Sequence, residues 1–273
     1  MSQLSFLAKT LFAVAMAAFG VLSLVSGELI RAPASLTPQP LLVYMSAAAL
    51  GSCAIAITIK RFDYLAASAL GTAFGLSFVL LHIPALVAHP RDADTWSVAV
   101  ATLALCAISL MVAARCAPAA AAALPIRMLD SAGRIMFGVC LLVCGTQHFM
   151  YASFVAALIP AWIPMPLLWA YLTGVCHLAA GASMITRLWM PLGTFLIGLM
   201  FFLFVGLLHA PRVARDWGNP HEWISLFVAL AFCAGAWLLA SQAHEPSRAS
   251  AYTAPLYRPI RLLRNFYHRP AAL

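Results

Sequence analysis

The stretch WMPLGTFLIGLMFFLFVGLLHAP, residues 189–211, decides the fold. It runs from Trp189 to Pro211 without one Lys, Arg, Asp or Glu. Crossing the hydrocarbon core of a bilayer as a helix takes roughly 20 mainly apolar residues, so this stretch is long enough to span. Working outward, comparable segments cover about 10–31, 41–59, 64–88, 95–115, 133–152, 167–186 and 222–241. The whole chain is 64% hydrophobic and 9% charged, with a mean hydropathy of +0.94. Soluble domains carry roughly 25% charged residues, so this inventory cannot build a water-facing surface. A membrane β-barrel would show short alternating segments instead of unbroken apolar runs. The expectation is an all-α integral membrane protein of about eight transmembrane helices.

The 189–211 stretch also has a twin. At a shift of 127 residues, Leu81-His82-x-Pro84 falls on Leu208-His209-x-Pro211, and Trp96 falls on Trp223. Leu103-Ala104-x-Cys106-Ala107 then falls on Leu230-Ala231-x-Cys233-Ala234. Pro38-x-Pro40-Leu41-Leu42 matches Pro164-x-Pro166-Leu167-Leu168 at 126, and Phe19-Gly20-Val21 matches Phe137-Gly138-Val139 at 118. The change from 118 to 126 implies a longer first loop in the second unit. Each unit holds an even number of helices, so both insert the same way up, as two parallel four-helix-bundle repeats. The expected division is a first repeat at 10–115, a cytoplasmic linker at 116–132, a second repeat at 133–241 and a basic tail at 242–273.

Charge sets the orientation. With the N-terminus inside, twelve Lys and Arg lie on the cytoplasmic side, against Arg31, Arg91, Arg212 and Arg215 outside. The positive-inside rule then predicts a multi-pass protein of the inner (plasma) membrane with both termini cytoplasmic. Lys9 followed by an apolar run resembles a signal peptide, but the run is too long and lacks a clean cleavage site, so it reads as a retained first helix. The tail from Arg258 to Arg269, interleaved with Phe266 and Tyr267, fits anionic lipid and not nucleic acid. The cysteines form no Cys-x-x-Cys pair, so they read as packing residues instead of a thiol–disulfide centre.

Polar groups at membrane depth are costly, and the second half has more of them. Gln147 and His148 fall near the outer end of the fifth helix, and His177 about ten residues into the sixth. His209 falls near the outer end of the seventh, and His221-Glu222 open the eighth. With Trp162 from the loop Ile159–Pro164, the candidate polar pocket is His148, His177, His209, Glu222, Gln147 and Trp162. Each has a structural alternative. In that alternative, interfacial Trp is ordinary anchoring, His82 and His209 serve carbonyls freed by the following prolines, and His221-Glu222 cap a helix. Paired histidines in a helical bundle also raise b-type haem. His148 and His209 share a depth for that purpose, whereas His177 reads as too deep to pair with either. Copper or zinc at His148, His209 and Glu222 is the corresponding metal reading.

The second repeat resembles the DoxX-like superfamily of four-helix membrane proteins. Gly138, Gly145 and Gln147-His148-Phe149 carry the resemblance, followed by Phe154, the Ile159-Pro160-Ala161-Trp162-Ile163-Pro164 loop, Tyr171 and Gly174-x-x-His177-x-x-x-Gly181. It covers about 133–241 and, more faintly, 12–115. Family members commonly have Glu where this chain has His177. The resemblance implies a membrane subunit or accessory of a quinone-linked redox system, with quinone as the ligand and a redox or assembly protein as the partner. Distant relatives are membrane chaperones or cargo receptors, which implies the alternative of a non-catalytic scaffold or assembly factor. A small-molecule or metal transporter is the third reading, weakened by the absence of broken mid-membrane helices.

Overall fold

In a computed structural model, residues 2–33, 39–118 and 121–244 are described. Among them there is no strand, and eight helices are long and apolar enough to cross a membrane. These are α1 (Gln3–Ser26), α2 (Pro40–Thr58), α3 (Asp63–Ala88), α4 (Ala93–Cys116), α5 (Ala123–Met150), α7 (Pro166–Thr186), α8 (Met190–Arg215) and α9 (Pro220–Ala240). A short α6 (Ala152–Leu158) lies between α5 and α7. The chain is an all-α, multi-pass membrane protein. The basic tail beyond His244 lies outside the described residues.

Two boundaries differ from expectation. Helix α1 starts at Gln3 because Ser2 caps it, its hydroxyl accepting from the Ser5 N–H at 3.2 Å, and it stops at Gly27, whose φ of 70° suits glycine. Helix α5 begins at Ala123, so most of the segment read as a linker is helix and only 117–122 connects the halves. Asp130, within that segment, pairs with Arg115 at 3.1 Å and accepts from Gln242. These polar contacts let α5 extend beyond its apolar run.

The helices close into one ring. Helix α1 packs on α2 and α9, α4 on α3 and α5, α5 on α7, and α8 on α7 and α9, while α4 and α9 meet across the middle. The first helix of each unit therefore lies against the fourth helix of the other. The units are not two separately closed four-helix bundles. Their core is shared: Phe137 of α5 meets Phe232 of α9 edge-on at 5.6 Å, and Ile108 of α4 lies against Gly235. Aromatic edge-to-face contact adds to the apolar burial there.

The backbone repeats with the sequence. At a shift of 127, Lys60 and Phe62 correspond to Arg187 and Trp189, and all four have positive φ between 55° and 65°. Asp92 and Asn219 each cap the following helix through a side-chain oxygen. The Trp96 indole donates to the Pro90 carbonyl at 2.9 Å, and that of Trp223 to the Trp217 carbonyl at 3.0 Å. Helices α3 and α8 each pass through a π turn, Phe78–His82 and Phe204–His209, ending on the repeated histidine. Pro84 and Pro211 follow two residues later. A proline clashes with the carbonyl four residues back in a regular α-helix, and the wider π turn relieves this without breaking the span.

The first helices align differently from the sequence reading. A Cβ on Gly20 would stand 2.9 Å from the Ala47 carbonyl oxygen, and one on Gly145 2.9 Å from that of Gly174. Ala47 and Gly174 are themselves 127 apart, so Gly20 corresponds to Gly145 at a shift of 125. The same shift matches the fully buried Phe12 with Phe137, and buried Lys9 with buried Arg134. The 118 match of Phe-Gly-Val is thus a coincidence one heptad out of register. The second unit has no markedly longer first loop.

Candidate functional site

The proximal face of the bundle carries the N-terminus and the end of α9; the distal face carries the turns α3–α4 and α8–α9. The candidate residues lie toward the distal side and divide into two groups.

His148 on α5 and His177 on α7 form the first group. Their rings stack at 4.7 Å between centroids with a 36° tilt. The small residues of the α5–α7 contact let the two helices approach this closely: a Cβ on Gly174 would come 3.0 Å from the His148 Cβ. Each Nδ1 lies on the carbonyl one turn back, His148 on Cys144 at 2.8 Å and His177 on Thr173 at 2.7 Å. A carbonyl only accepts, so each Nδ1 carries a hydrogen, and a ring in its neutral form then has its lone pair on Nε2. His177 is only 3% exposed and packs edge-on against Phe201 of α8 at 5.4 Å. The expectation that His177 lies too deep to pair with His148 is overturned. Helix α5 does not end at the surface, since α6 and the loop to Pro166 follow it, so His148 sits deeper than its place near a helix end implies.

His209, Arg212 and Glu222 form the second group. Arg212 donates to Glu222 Oε1 at 2.7 Å across the α8–α9 turn, and both lie within electrostatic reach of His209. His209 Nδ1 and Glu222 Oε2 are buried without a hydrogen-bond partner. Removing a carboxylate from water is costly, and the guanidinium of Arg212 offsets that cost at the water boundary.

Gln147 and Trp162 join neither group. Gln147 points toward the first half, with its amide nitrogen 3.4 Å from Ser97 Oγ. Trp162 is two-thirds exposed in the loop before α7. Trp223 is tied locally, its ring 4.7 Å from that of Trp217 in the preceding turn. Among the described residues, no three His, Cys, Asp or Glu side chains gather where a metal ion could be held, so the copper or zinc set does not assemble. The described cysteines are all free, which fits a packing role. Nor do the stacked, carbonyl-bound rings of His148 and His177 leave space between them for a haem.

The first half has a different polar cluster in the corresponding region. Arg31, at a φ of 65°, folds its guanidinium back to the Ser97 carbonyl at 3.1 Å. Burial pulls its pKa down to about 10, with Asp94 acting in the opposite direction. His82 is 1% exposed, and its Nε2 has no partner.

Sequence reading missed Arg134 and Arg212 as structural residues because both were counted only as loop charges. Arg134 is buried and donates to the terminal carbonyls of α7, Met184 and Ile185, where a helix end lacks backbone partners. The i+10 spacing of Arg212 and Glu222 across a predicted turn was the available signal for the second. The chain matches no protein-family model, no curated protein and no solved structure.

Proposed function

We propose that this chain is a membrane subunit or accessory of a quinone-linked redox system, of the DoxX-like type, and that the His148–His177 pair binds the quinone in its reduced form. The stacked pair of carbonyl-anchored imidazoles at membrane depth carries the reading. A ring with Nδ1–H committed to the backbone presents Nε2 as an acceptor. The complementary ligand is a hydroxyl donor, the hydroquinone, rather than the carbonyls of the oxidised ring. Oxidation of a hydroquinone releases two protons and two electrons. In this reading Nε2 is where a proton is first taken, and the electrons pass to the partner redox protein. In this reading His209 and Glu222, nearer the distal face, are supporting residues. The setting is a bacterial-type inner membrane with both termini cytoplasmic.

The scaffold alternative would draw on the small-residue stretches Ala47–Gly51 and Gly174–Gly181. Ala47 already lies against Gly20 of α1, and Gly174 and Gly181 against His148, Phe149 and Gly138 of α5, which leaves less of either stretch for a foreign helix. The transporter alternative gains nothing from α3 and α8, which continue through their π turns without breaking. The test is titration of the purified full chain in lipid nanodiscs with a short-chain hydroquinone, followed in the near ultraviolet. Saturable binding that weakens at least tenfold in His148→Ala and His177→Ala supports the reading. Equal binding by the variants, or none by the wild type, removes it.

A further inference from the structure

A groove of about 380 Å³ opens on the distal side between the segment 157–161 and the last turns of α8. Its apolar wall includes Leu158, Ile159, Pro160 and Pro211, and its polar wall is Arg212 and Arg215. We propose that it binds the phosphate head group of an anionic phospholipid in the distal leaflet. The acyl chains would lie along the exposed flank of α8.

Three observations converge on that occupant. The first is charge. Arg212 is fixed by Glu222 at 2.7 Å, whereas Arg215 is exposed, and the acid next to it, Asp216, already accepts from Asn219. The groove therefore presents a guanidinium held in place and a second one free to close on an anion, an arrangement suited to phosphate oxygens. The second is position. Arg212 and Arg215 lie one turn apart at the water end of a membrane span, and Phe202, Leu203 and Leu207 are exposed below them on the same helix. A soluble anion would use only the arginines, whereas a phospholipid uses the arginines and the apolar flank together.

The third is the comparison with the first half. At the shift of 127, Arg212 and Arg215 correspond to Ala85 and Ala88. The segment leading into the other wall differs as well: 152–158 is helix α6, whose last two residues line the groove, whereas the corresponding 27–33 is non-helical and begins at the Gly27 cap. Both arginines and the short helix beside them are thus features of the second half alone, on a backbone the halves otherwise share, although Pro211 of the wall recurs as Pro84. This proposal is independent of the hydroquinone reading.

The test uses the full chain in mild detergent, with thermal unfolding measured against added dioleoyl phosphatidylglycerol, dioleoyl phosphatidylcholine or inorganic phosphate. Phosphatidylglycerol is expected to raise the midpoint by several degrees more than phosphatidylcholine, and inorganic phosphate to leave it unchanged. Arg215→Ala, an exposed site, is expected to unfold like wild type without lipid, and to need about fivefold more phosphatidylglycerol for half its effect. Arg215→Lys should keep most of the response. The basic tail contributes equally to wild type and variants, so the difference reports the groove. An unchanged response in Arg215→Ala, equal effects of the two lipids, or reproduction of the effect by phosphate alone would each overturn the proposal.

Discussion

At equivalent places in the two halves, the protein has Ser23 and Leu50 where it also has His148 and His177. Helix α1 lies on α2 as α5 lies on α7, with matching glycine-to-carbonyl approaches at Gly20 and Gly145. Ser23 is fully buried with no partner for its hydroxyl, and Leu50 is an ordinary core residue. The halves therefore share packing and differ in chemistry. At these two positions the second half places imidazoles where the first half places a hydroxyl and an apolar side chain.

The largest expected effect tests the shared packing. Phe12→Ala and Phe137→Ala should each cost about 3–5 kcal/mol in reversible detergent unfolding, with values similar to one another, because both rings are fully buried at matched positions. A large loss in one half alone would break the equivalence. Next come Gly20→Ala and Gly145→Ala. The new methyl meets a backbone carbonyl in each case, at a cost of about 1–3 kcal/mol, read from the same unfolding curves.

Grafting the first half's residues sharpens the comparison further. The double variant His148→Ser, His177→Leu should keep its unfolding free energy within about 1 kcal/mol, since each imidazole makes one neutral hydrogen bond. It should lose hydroquinone binding. Loss of folding instead would make the histidines structural.

The smallest effect separates the two caps. Asp92 holds the start of α4, and its hydrogen bonds to Thr95 keep its carboxyl below the usual aspartate range. Because the folded value is the lower one, the cap's contribution is complete above the ordinary aspartate pKa and is lost as pH falls through the folded value. Asn219 does the same work at α9 without titrating. Amide exchange on acidification should therefore loosen the first turn of α4 before that of α9.

Much of this architecture was legible in the sequence. Apolar length gave the eight spans, and the His-x-Pro and Trp recurrences gave the duplication, because both are local signals. What failed was register and partnership. The Phe-Gly-Val match at 118 looked convincing, but helix registry is set by which residue can face a carbonyl at under 3 Å, and only packing reveals that. The closure of α1 on α9 has no local signature, since an apolar helix face reads the same whichever helix covers it. Among the site residues, His177 is buried and His148 half-buried, and their pairing depended on how deep α5 ends. Gln147 was grouped with His148 by adjacency, although neighbouring residues on a helix point about 100° apart and this one turns toward α4.

The ring also governs the order of assembly. Among the helices of the ring α1 is synthesised well before α9, one of its two main packing partners. Until synthesis is nearly complete, one flank of α1 faces lipid or whatever insertion machinery attends it, with Lys9 held in the span. Final closure of the ring therefore comes after its other spans are made and joins α1 to α9. A ribosome-stalled intermediate lacking α9 should be far more open to proteases and to membrane quality control than its seven completed spans alone would imply.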